Sequence, residues 1–198
     1  MNSKPKILVL GGSIRSGSYS QQLADAYASK LAGLDCMITR ITLAEYPLPI
    51  MDEDLQKTSG IPDNALKLAR LFHGSDAVVI VTPEYNASLP PLLKNAIDWI
   101  SRVSTNNGSP VIAYRNKLCA IASTSSGLLG GFSALGHLRD VLVRLGMLVI
   151  SEQLALGHAN KAFDPMDQRL LNDRHNTILN AACTSLVEKA TLLGRPLF

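Results

Sequence analysis

The sequence has few cysteines and no pattern that would pair them. Cys36, Cys119 and Cys183 are far apart, and neither a C-x-x-C pair nor a Cys/His spacing typical of a metal site is present. Cys36 and Cys119 lie in apolar, strand-like segments, so we expect buried free thiols, as is usual in a reducing compartment. The sequence therefore predicts neither a disulfide scaffold nor a metal centre.

Long apolar runs and concentrations of one charge are also missing. No segment approaches the roughly 18 consecutive apolar residues of a membrane span, and the run before Gly11 is too short for a signal-peptide core. The net charge is only +3, and the lysines and arginines form no basic run of the kind that binds nucleic acid. We therefore expect a soluble cytoplasmic protein with no membrane span and no nucleic-acid partner.

Two kinds of apolar segment alternate along the chain. Short continuous runs are typical of buried strands, and apolar residues three and four positions apart are typical of amphipathic helices. Strands are predicted at 6–10, 36–42, 76–82, 117–123 and 146–152, and helices at 18–34, from Pro62 through Phe72, and at 90–103, 132–145 and 167–193. This alternation predicts a single α/β domain over residues 1–198, with a parallel sheet covered by helices on both faces.

The connecting segments are predicted to be loops. An acidic loop includes residues 52–54, and a longer polar one covers 103–116. Three others, at 11–20, 83–89 and 124–131, directly follow predicted strands. Ligands of parallel α/β sheets bind at the carboxyl ends of the strands, so these three loops form the candidate site.

Residues 11–20, GGSIRSGSYS, have the composition of a phosphate-binding loop. They match neither G-x-x-x-x-G-K-[ST] nor G-x-G-x-x-G, and no acid stands at the tip of the second strand, so a dinucleotide-type loop is not indicated. The hydroxyls of Ser13, Ser18 and Ser20, the Arg15 guanidinium and the N–H groups of a helix start can bind one phosphate monoester. The alternative is a polar turn with a serine helix cap.

The other two loops suit a flat ring. In TPEYN at 82–86, a rigid proline followed by Tyr85 and Asn86 can cradle a heteroaromatic ring; the alternative is a turn with an incidental aromatic residue. Glu84 is either a catalytic acid or, as is more common, a solvated loop acid. In STSSGLLGG at 123–131, the glycines allow the backbone to approach a ligand closely; the alternative is a flexible connector.

Three sets of residues together resemble the NADPH-dependent FMN reductase family, which includes chromate, quinone and azo-dye reductases. They are G-S-x-R-x-x-S at 12–18, P-E-Y-N at 83–86 with L-K-N-A-I-D-W at 93–99, and the glycine-rich loop followed by G-H-L-R at 136–139. The resemblance covers about residues 5–150. It implies a flavodoxin-like three-layer sandwich with a five-stranded parallel sheet of order 2-1-3-4-5, and non-covalently bound FMN.

The resemblance also implies a role for each site residue. Ser13, Arg15 and Ser18 would hold the FMN phosphate, and Ser20 stands where the family commonly has asparagine, which has the longer reach. The isoalloxazine ring would be lined, largely through the main chain, by Pro83, Glu84, Tyr85 and Asn86. The ring or the ribityl chain would be approached from the other side by Ser123 and Gly127. No catalytic side chain is implied, because the flavin carries the chemistry.

The implied activity is transfer of a hydride from NADPH or NADH through FMN to a small acceptor such as a quinone, a flavin, chromate or an azo compound. The implied assembly is a homodimer or homotetramer, with Trp99, Ile100, Leu135 and Leu138 as candidate interface residues. One alternative is a flavodoxin-type electron carrier. Another is a serine esterase with Ser13 as nucleophile, although Asp173-Arg174-His175 is one residue short of the D-x-x-H that such enzymes need.

Overall fold

One parallel sheet organises the part of the chain that the computed structural model describes, residues 4–194. Its order is β2-β1-β3-β6-β7, with β8 also paired to β6. The strands are β1 (Lys6–Gly11), β2 (Met37–Thr42), β3 (Ala77–Pro83), β6 (Leu118–Thr124), β7 (Leu148–Val149) and β8 (Leu154–Leu156), and a separate antiparallel hairpin holds β4 (Thr105–Asn106) and β5 (Ser109–Pro110). The outermost residues of the domain predicted over 1–198 lie outside the described range.

Helices cover both faces of this sheet. They are α1 (Tyr19–Ala32), α2 (Glu53–Ser59), α3 (Asp63–His73), α4 (Pro91–Ser101), α5 (Phe132–Arg144) and α6 (Asp173–Leu193), with 3-10 turns at Leu43–Glu45 and Ala159–Lys161. No helix within residues 4–194 is long and apolar enough to cross a membrane.

Alternation along the strands sends apolar side chains into two cores. Ile7 and Val9 of β1 pack in a core with residues of α1 and α6. Leu8 and Leu10 pack in a second core with residues of α3, α4 and α5. Each fully buried side chain of this kind contributes roughly 1.5–3 kcal/mol relative to an exposed one. The predicted three-layer sandwich and the predicted strand order are therefore confirmed, with β7 and β8 sharing the fifth position.

The fifth strand differs from the prediction of one strand at 146–152. Two short strands replace it, β7 within the predicted range and β8 on its carboxyl-terminal side. At the end of β7 the Arg139 guanidinium of α5 donates hydrogen bonds to the carbonyls of Val149 (3.2 Å) and Ile150 (2.8 Å). It also donates to Oε1 of Gln153 (3.1 Å), which lies before β8. The Arg139 side chain thus hydrogen-bonds to backbone carbonyls at the position where the strand is interrupted.

Two predicted loops contain regular structure. The acidic segment begins α2, because Oδ1 of Asp52 accepts the backbone N–H groups of Asp54 (2.7 Å) and Leu55 (3.1 Å). Asn107 and Gly108 form the turn of the β4–β5 hairpin with φ of 50° and 78°, the positive values that Asn-Gly readily adopts.

The last helix begins six residues later than predicted. Asn172 caps it, since its Oδ1 accepts the N–H groups of Arg174 (2.9 Å) and His175 (3.2 Å). Pro62 likewise precedes α3 rather than lying inside it.

The residues proposed for an interface are part of the core. Trp99, Ile100, Leu135 and Leu138 are at most 2% exposed within the single chain. Their side chains are already packed in the core of the single chain, so they give no support to an oligomer.

Candidate functional site

The three candidate loops leave adjacent strands at the same edge of the sheet. β1 pairs with β3, and β3 pairs with β6, so their carboxyl ends lie side by side. The first loop (residues 11–20) and the second loop (83–89) share a cavity of about 220 Å³. The cavity is lined by Gly12, Ser13, Ile14, Arg15, Tyr85, Pro90 and Leu92. The third loop (124–131) lies beyond them on β6.

The first loop leaves the start of α1 open. The N–H of Gly12 donates to the carbonyl of Val81 (2.7 Å), which fixes the loop to β3. Gly17 has φ of +65°, with open space where a Cβ would lie. Ser18 is the N-cap of α1, but its hydroxyl pairs with that of Ser20 (2.8 Å) and does not cap the helix. The first N–H groups of α1 therefore face the loop without a cap from Ser18.

Arg15 lies on the solvent side of the first loop. Its guanidinium donates to the carbonyls of Ser16 (2.9 Å) and Gly17 (3.2 Å) and lies 5.7 Å from the centre of the Tyr19 ring. Within residues 4–194 no carboxylate pairs with it. Its charge is therefore available to an anion at the helix start.

Three serines of the first loop are buried, namely Ser13, Ser18 and Ser20. Ser13 is 6% exposed, and its Oγ accepts the N–H of Arg15 (3.2 Å). Ser20 is fully buried, and its hydroxyl meets Ser18. Ser20 therefore acts on Ser18 in this structure, and its direct contact with a ligand stays a prediction.

The second loop turns back sharply after β3. Tyr85 and Ser88 exchange two backbone hydrogen bonds of 3.0 Å around Asn86 and Ala87, whose φ values are 48° and 61°. These values are typical of a two-residue type I′ turn. The turn holds the half-exposed Tyr85 ring against the cavity and leaves Asn86 exposed. Pro83 ends β3, and its carbonyl accepts the hydroxyl of the preceding threonine (2.8 Å).

Glu84 caps a helix. Its Oε2 accepts the N–H of Ala134 (3.0 Å) in the first turn of α5. The N-cap position itself is Gly131, which has no side chain to do this, so the carboxylate comes from a neighbouring loop. The Nδ1 of His137 lies 3.0 Å from the hydroxyl of Ser88, so α5 holds the second loop at both ends.

The third loop is packed against the chain that follows β8. Ser123 is fully buried, and its Oγ donates to the carbonyl of Gly130 (2.7 Å). The carbonyl of Gly127 accepts the N–H of His158 (3.0 Å). A Cβ on Gly157 would lie 2.2 Å from the carbonyl oxygen of Leu128. The Ser123 hydroxyl is thus used inside the protein, and its predicted approach to a ligand stays a prediction.

The described residues hold no activated protein nucleophile near this site. Burial raises the pKa of the Cys119 thiol and raises that of Cys183 to about 12, so both are neutral thiols near pH 7. Cys36 is half-buried rather than buried, and burial also raises its pKa. The Ser13 hydroxyl has no histidine partner within residues 4–194, and His175 lies in the first turn of α6. The geometry gives no support to a serine esterase.

Two residues of this region were missed by the sequence analysis. Gln21 of α1 and Arg40 of β2 form hydrogen bonds behind the first loop. They are 19 positions apart on different elements, and neither belongs to a motif, so no local signal marks them.

The sheet order, the uncapped helix start and the cavity beside it define the class of protein. The chain is a flavodoxin-like α/β protein whose candidate ligand site lies at the carboxyl edge of its sheet.

The comparisons with known proteins identify the family. The family model for NADPH-dependent FMN reductases matches residues 5–161, and the chain belongs to that family. It is 36% identical over 160 residues to a quinone reductase of Escherichia coli, with 79% of each chain covered. It is 32% identical over 188 residues to an NAD(P)H-dependent FMN reductase of Pseudomonas aeruginosa, with 94% and 95% covered.

A solved structure extends the similarity. The flavoenzyme NAD(P)H:(acceptor) oxidoreductase FerB of Paracoccus denitrificans superimposes with a TM-score of 0.77 at 26% identity, covering 94% of this chain and 97% of that one. An archaeal flavodoxin, at a TM-score of 0.59 and 11% identity, shares the fold alone. The prediction of an FMN-dependent NAD(P)H oxidoreductase is therefore confirmed, and the electron carrier is not favoured.

Proposed function

We propose that the first loop holds the phosphate of FMN and the second loop lines its ring. The observation that carries this proposal is the uncapped start of α1 beside an unpaired Arg15. The Ser18 hydroxyl does not cap the N–H groups at the start of α1, and such groups together with a guanidinium suit a phosphate dianion. The adjoining cavity is walled by Tyr85, Pro90 and Leu92, whose apolar surfaces suit a flat ring. The residues present therefore fit FMN.

Each side chain of the site then has a proposed role in holding FMN. Bound FMN supplies the two-electron chemistry between NAD(P)H and the acceptor. Arg15 and the hydroxyls of Ser13 and Ser18 retain the phosphate, at the opposite end of the cofactor from its reacting ring. Glu84 fixes the second loop to α5 and so holds Tyr85 in place. The proposed further contacts of the flavin ring are the main chain of Asn86 and Gly127 and the residues around Ser123.

We further propose that the acceptor is a small quinone. The relatives that support this are the quinone reductase of Escherichia coli and a 2-hydroxy-1,4-benzoquinone reductase of a Burkholderia species, which is 35% identical over 160 residues, with 80% and 82% of the two chains covered.

Steady-state turnover tests the proposal. The purified protein with excess FMN should consume NADPH or NADH when benzoquinone is added, in the absence of any partner protein. Arg15→Ala should lower FMN affinity about 10- to 100-fold, because charged hydrogen bonds contribute roughly 1.5–3 kcal/mol. Unchanged affinity would show that the phosphate lies elsewhere, and no turnover without a partner would favour an electron carrier.

We also propose a homodimer or homotetramer. Leu128, Leu129 and Phe132 are 75%, 73% and 62% exposed beside the candidate site, and exposed apolar surface of this kind is typical of an interface. Light scattering at micromolar concentration should give a multiple of 21.3 kDa. A monomer would contradict the proposal, and Leu128→Asp with Leu129→Asp should shift an oligomer towards monomer.

A cytoplasmic location and a single domain complete the proposal. The cysteines Cys36, Cys119 and Cys183 are free, as suits a reducing compartment. Both cores flank the same sheet, which supports one domain over residues 1–198. Calorimetry should then show one unfolding transition with equal calorimetric and van't Hoff enthalpies. Two separate transitions would contradict the single domain.

A further inference from the structure

The side-chain amide of Gln21 connects the first loop to the tip of β2. Its Nε2 donates to the carbonyl of Ser13 and to the hydroxyl of Thr42 (3.3 Å). Its Oε1 accepts a hydrogen bond from the guanidinium of Arg40. Both amide hydrogens and the amide oxygen are therefore in use, which fixes the side chain in one orientation.

Arg40 is held in turn from its other side. Its Nε donates to Oδ1 of Asp25 (2.8 Å), and its terminal nitrogens donate to the carbonyls of Ile41 and Gln21 (3.3 Å) as well as to the Gln21 side chain. Its side chain is only 23% exposed. A continuous series of hydrogen bonds thus runs from Asp25 through Arg40 and Gln21 to the backbone of Ser13.

The end of β1 provides the space that Gln21 needs. A Cβ on Gly11 would lie 2.9 Å from both Cδ and Oε1 of Gln21, closer than real side chains approach. The amide side chain therefore passes directly over Gly11 to reach the loop. This glycine is required by lack of space, since its φ is not in the left-handed region.

The bond to Ser13 determines where the next N–H points. In a trans peptide the carbonyl of one residue and the N–H of the next point in opposite directions. Because the Ser13 carbonyl is bonded to Gln21, the N–H of Ile14 points away from Gln21, and both Ser13 and Ile14 line the cavity. The same bond turns a carbonyl dipole, which would repel a phosphate, away from the loop's open side.

We propose that Gln21, held by Arg40, is a positioning residue that makes the site selective for a phosphorylated flavin over riboflavin. The proposal rests on the proposed function, since it concerns the same phosphate. The hydroxyl of Ser20 is hydrogen-bonded to that of Ser18. Gln21 then supplies the amide that orients this loop, and it approaches from behind the loop.

Affinities for FMN and riboflavin test this inference, because only FMN carries the phosphate. Quenching of flavin fluorescence would give both dissociation constants for the wild type, Gln21→Met and Arg40→Lys. Gln21→Met keeps the length of the side chain and removes its hydrogen bonds. We expect FMN affinity to fall about tenfold, the effect of one ordinary hydrogen bond, while riboflavin affinity changes less than about twofold.

The neighbour Gln22 provides the matched control. It lies on the same helix turn and is also half-buried, so Gln22→Met should leave both affinities unchanged. Arg40→Lys keeps the charge near Asp25 but cannot reproduce all the guanidinium bonds, so it should shift the FMN-to-riboflavin ratio in the same direction as Gln21→Met. It also keeps the test available if Gln21→Met does not fold.

Each outcome has a distinct meaning. A lower FMN-to-riboflavin ratio in Gln21→Met supports positioning. An unchanged ratio, or an equal loss of both affinities together with a lower melting temperature, would overturn the inference and leave a structural role. A wild type that binds riboflavin as tightly as FMN would instead overturn the phosphate site itself.

Discussion

The first and third loops use glycine for opposite reasons. At Gly17 in the first loop nothing lies within 4 Å of where a Cβ would be, and the glycine serves a positive φ. At Gly130 in the third loop a Cβ would lie 2.5 Å from the backbone nitrogen of Gly157, so glycine also serves close packing. The first loop is therefore open towards solvent and suited to a ligand, whereas the third is closed by its own backbone.

A serine of the first loop and the serine of β6 that precedes the third loop differ in the same way. Ser13 lines the cavity, whereas Ser123 donates its hydroxyl to Gly130 inside the protein. Residues of one type at one sheet edge thus have different surroundings, because Ser13 lines an open cavity and the Ser123 hydroxyl closes the third loop by its bond to Gly130. Four sets of substitutions test this comparison.

The largest effect is expected at Gly157, where the chain that follows β8 packs against the third loop. Gly157→Ala places a Cβ 2.2 Å from the carbonyl oxygen of Leu128, a backbone atom that cannot move alone. We expect the free energy of unfolding to fall by about 3 kcal/mol or more, measured by urea denaturation. Gly127→Ala is the control, because its Cβ would have only a contact of 3.6 Å with Ser125. Equal effects of the two would refute close packing.

The paired serines should separate stability from binding. Ser123→Ala leaves the buried carbonyl of Gly130 without its partner and should lower the free energy of unfolding by roughly 2 kcal/mol, with little change in FMN affinity. Ser13→Ala should do the reverse, lowering FMN affinity about tenfold with little change in stability. If Ser123→Ala reduced FMN affinity more than Ser13→Ala did, the comparison of the two loops would be wrong.

Glu84 connects the second loop to the helix that follows the third. Glu84→Ala removes the acceptor of the Ala134 N–H and should cost about 1.5 kcal/mol of unfolding free energy. Glu84→Gln keeps a carbonyl oxygen that can accept the Ala134 N–H, so it should lower the free energy of unfolding by less. If Glu84 acted instead as a catalytic acid, Glu84→Gln would reduce quinone turnover at saturating FMN without changing stability, and steady-state kinetics would detect this.

The smallest effect is expected in the open loop. Gly17→Ala introduces a Cβ at a φ of +65° but meets no neighbour, so only backbone strain of about 1 kcal/mol is expected. Gly17→Asn should cost less, because asparagine adopts this region more readily. Thermal denaturation would measure both. A cost as large as that of Gly157→Ala would mean that the first loop is packed as closely as the third.

Local sequence patterns predicted most of the fold. The apolar run at 77–81 and the helix pattern in α3 each depend on residues close together in the chain, so their positions were predicted to within one or two residues. The interruption between β7 and β8 depends on Arg139, which lies ten positions before the first carbonyl it bonds. Such a tertiary contact leaves no periodic signal.

The candidate site was predictable in place but not in detail. Topology alone brought the three loops to one edge of the sheet. The inward direction of Ser123 depends on its bond to Gly130, and the role of Gln21 depends on Arg40 across two elements. These contacts depend on how distant segments pack together, and the local sequence pattern does not predict that packing.

The division of the fifth strand also affects how molecules meet one another. An edge strand with a long row of free N–H and C=O groups is a template for pairing with another chain, and such pairing leads to aggregation. Here the edge consists of strands of two and three residues. Arg139 donates hydrogen bonds to the carbonyls of Val149, the last residue of β7, and of Ile150, which follows it. One guanidinium therefore binds two carbonyls where this edge is interrupted, which leaves fewer acceptors for a foreign strand and helps to keep the folded protein from joining sheets with its neighbours.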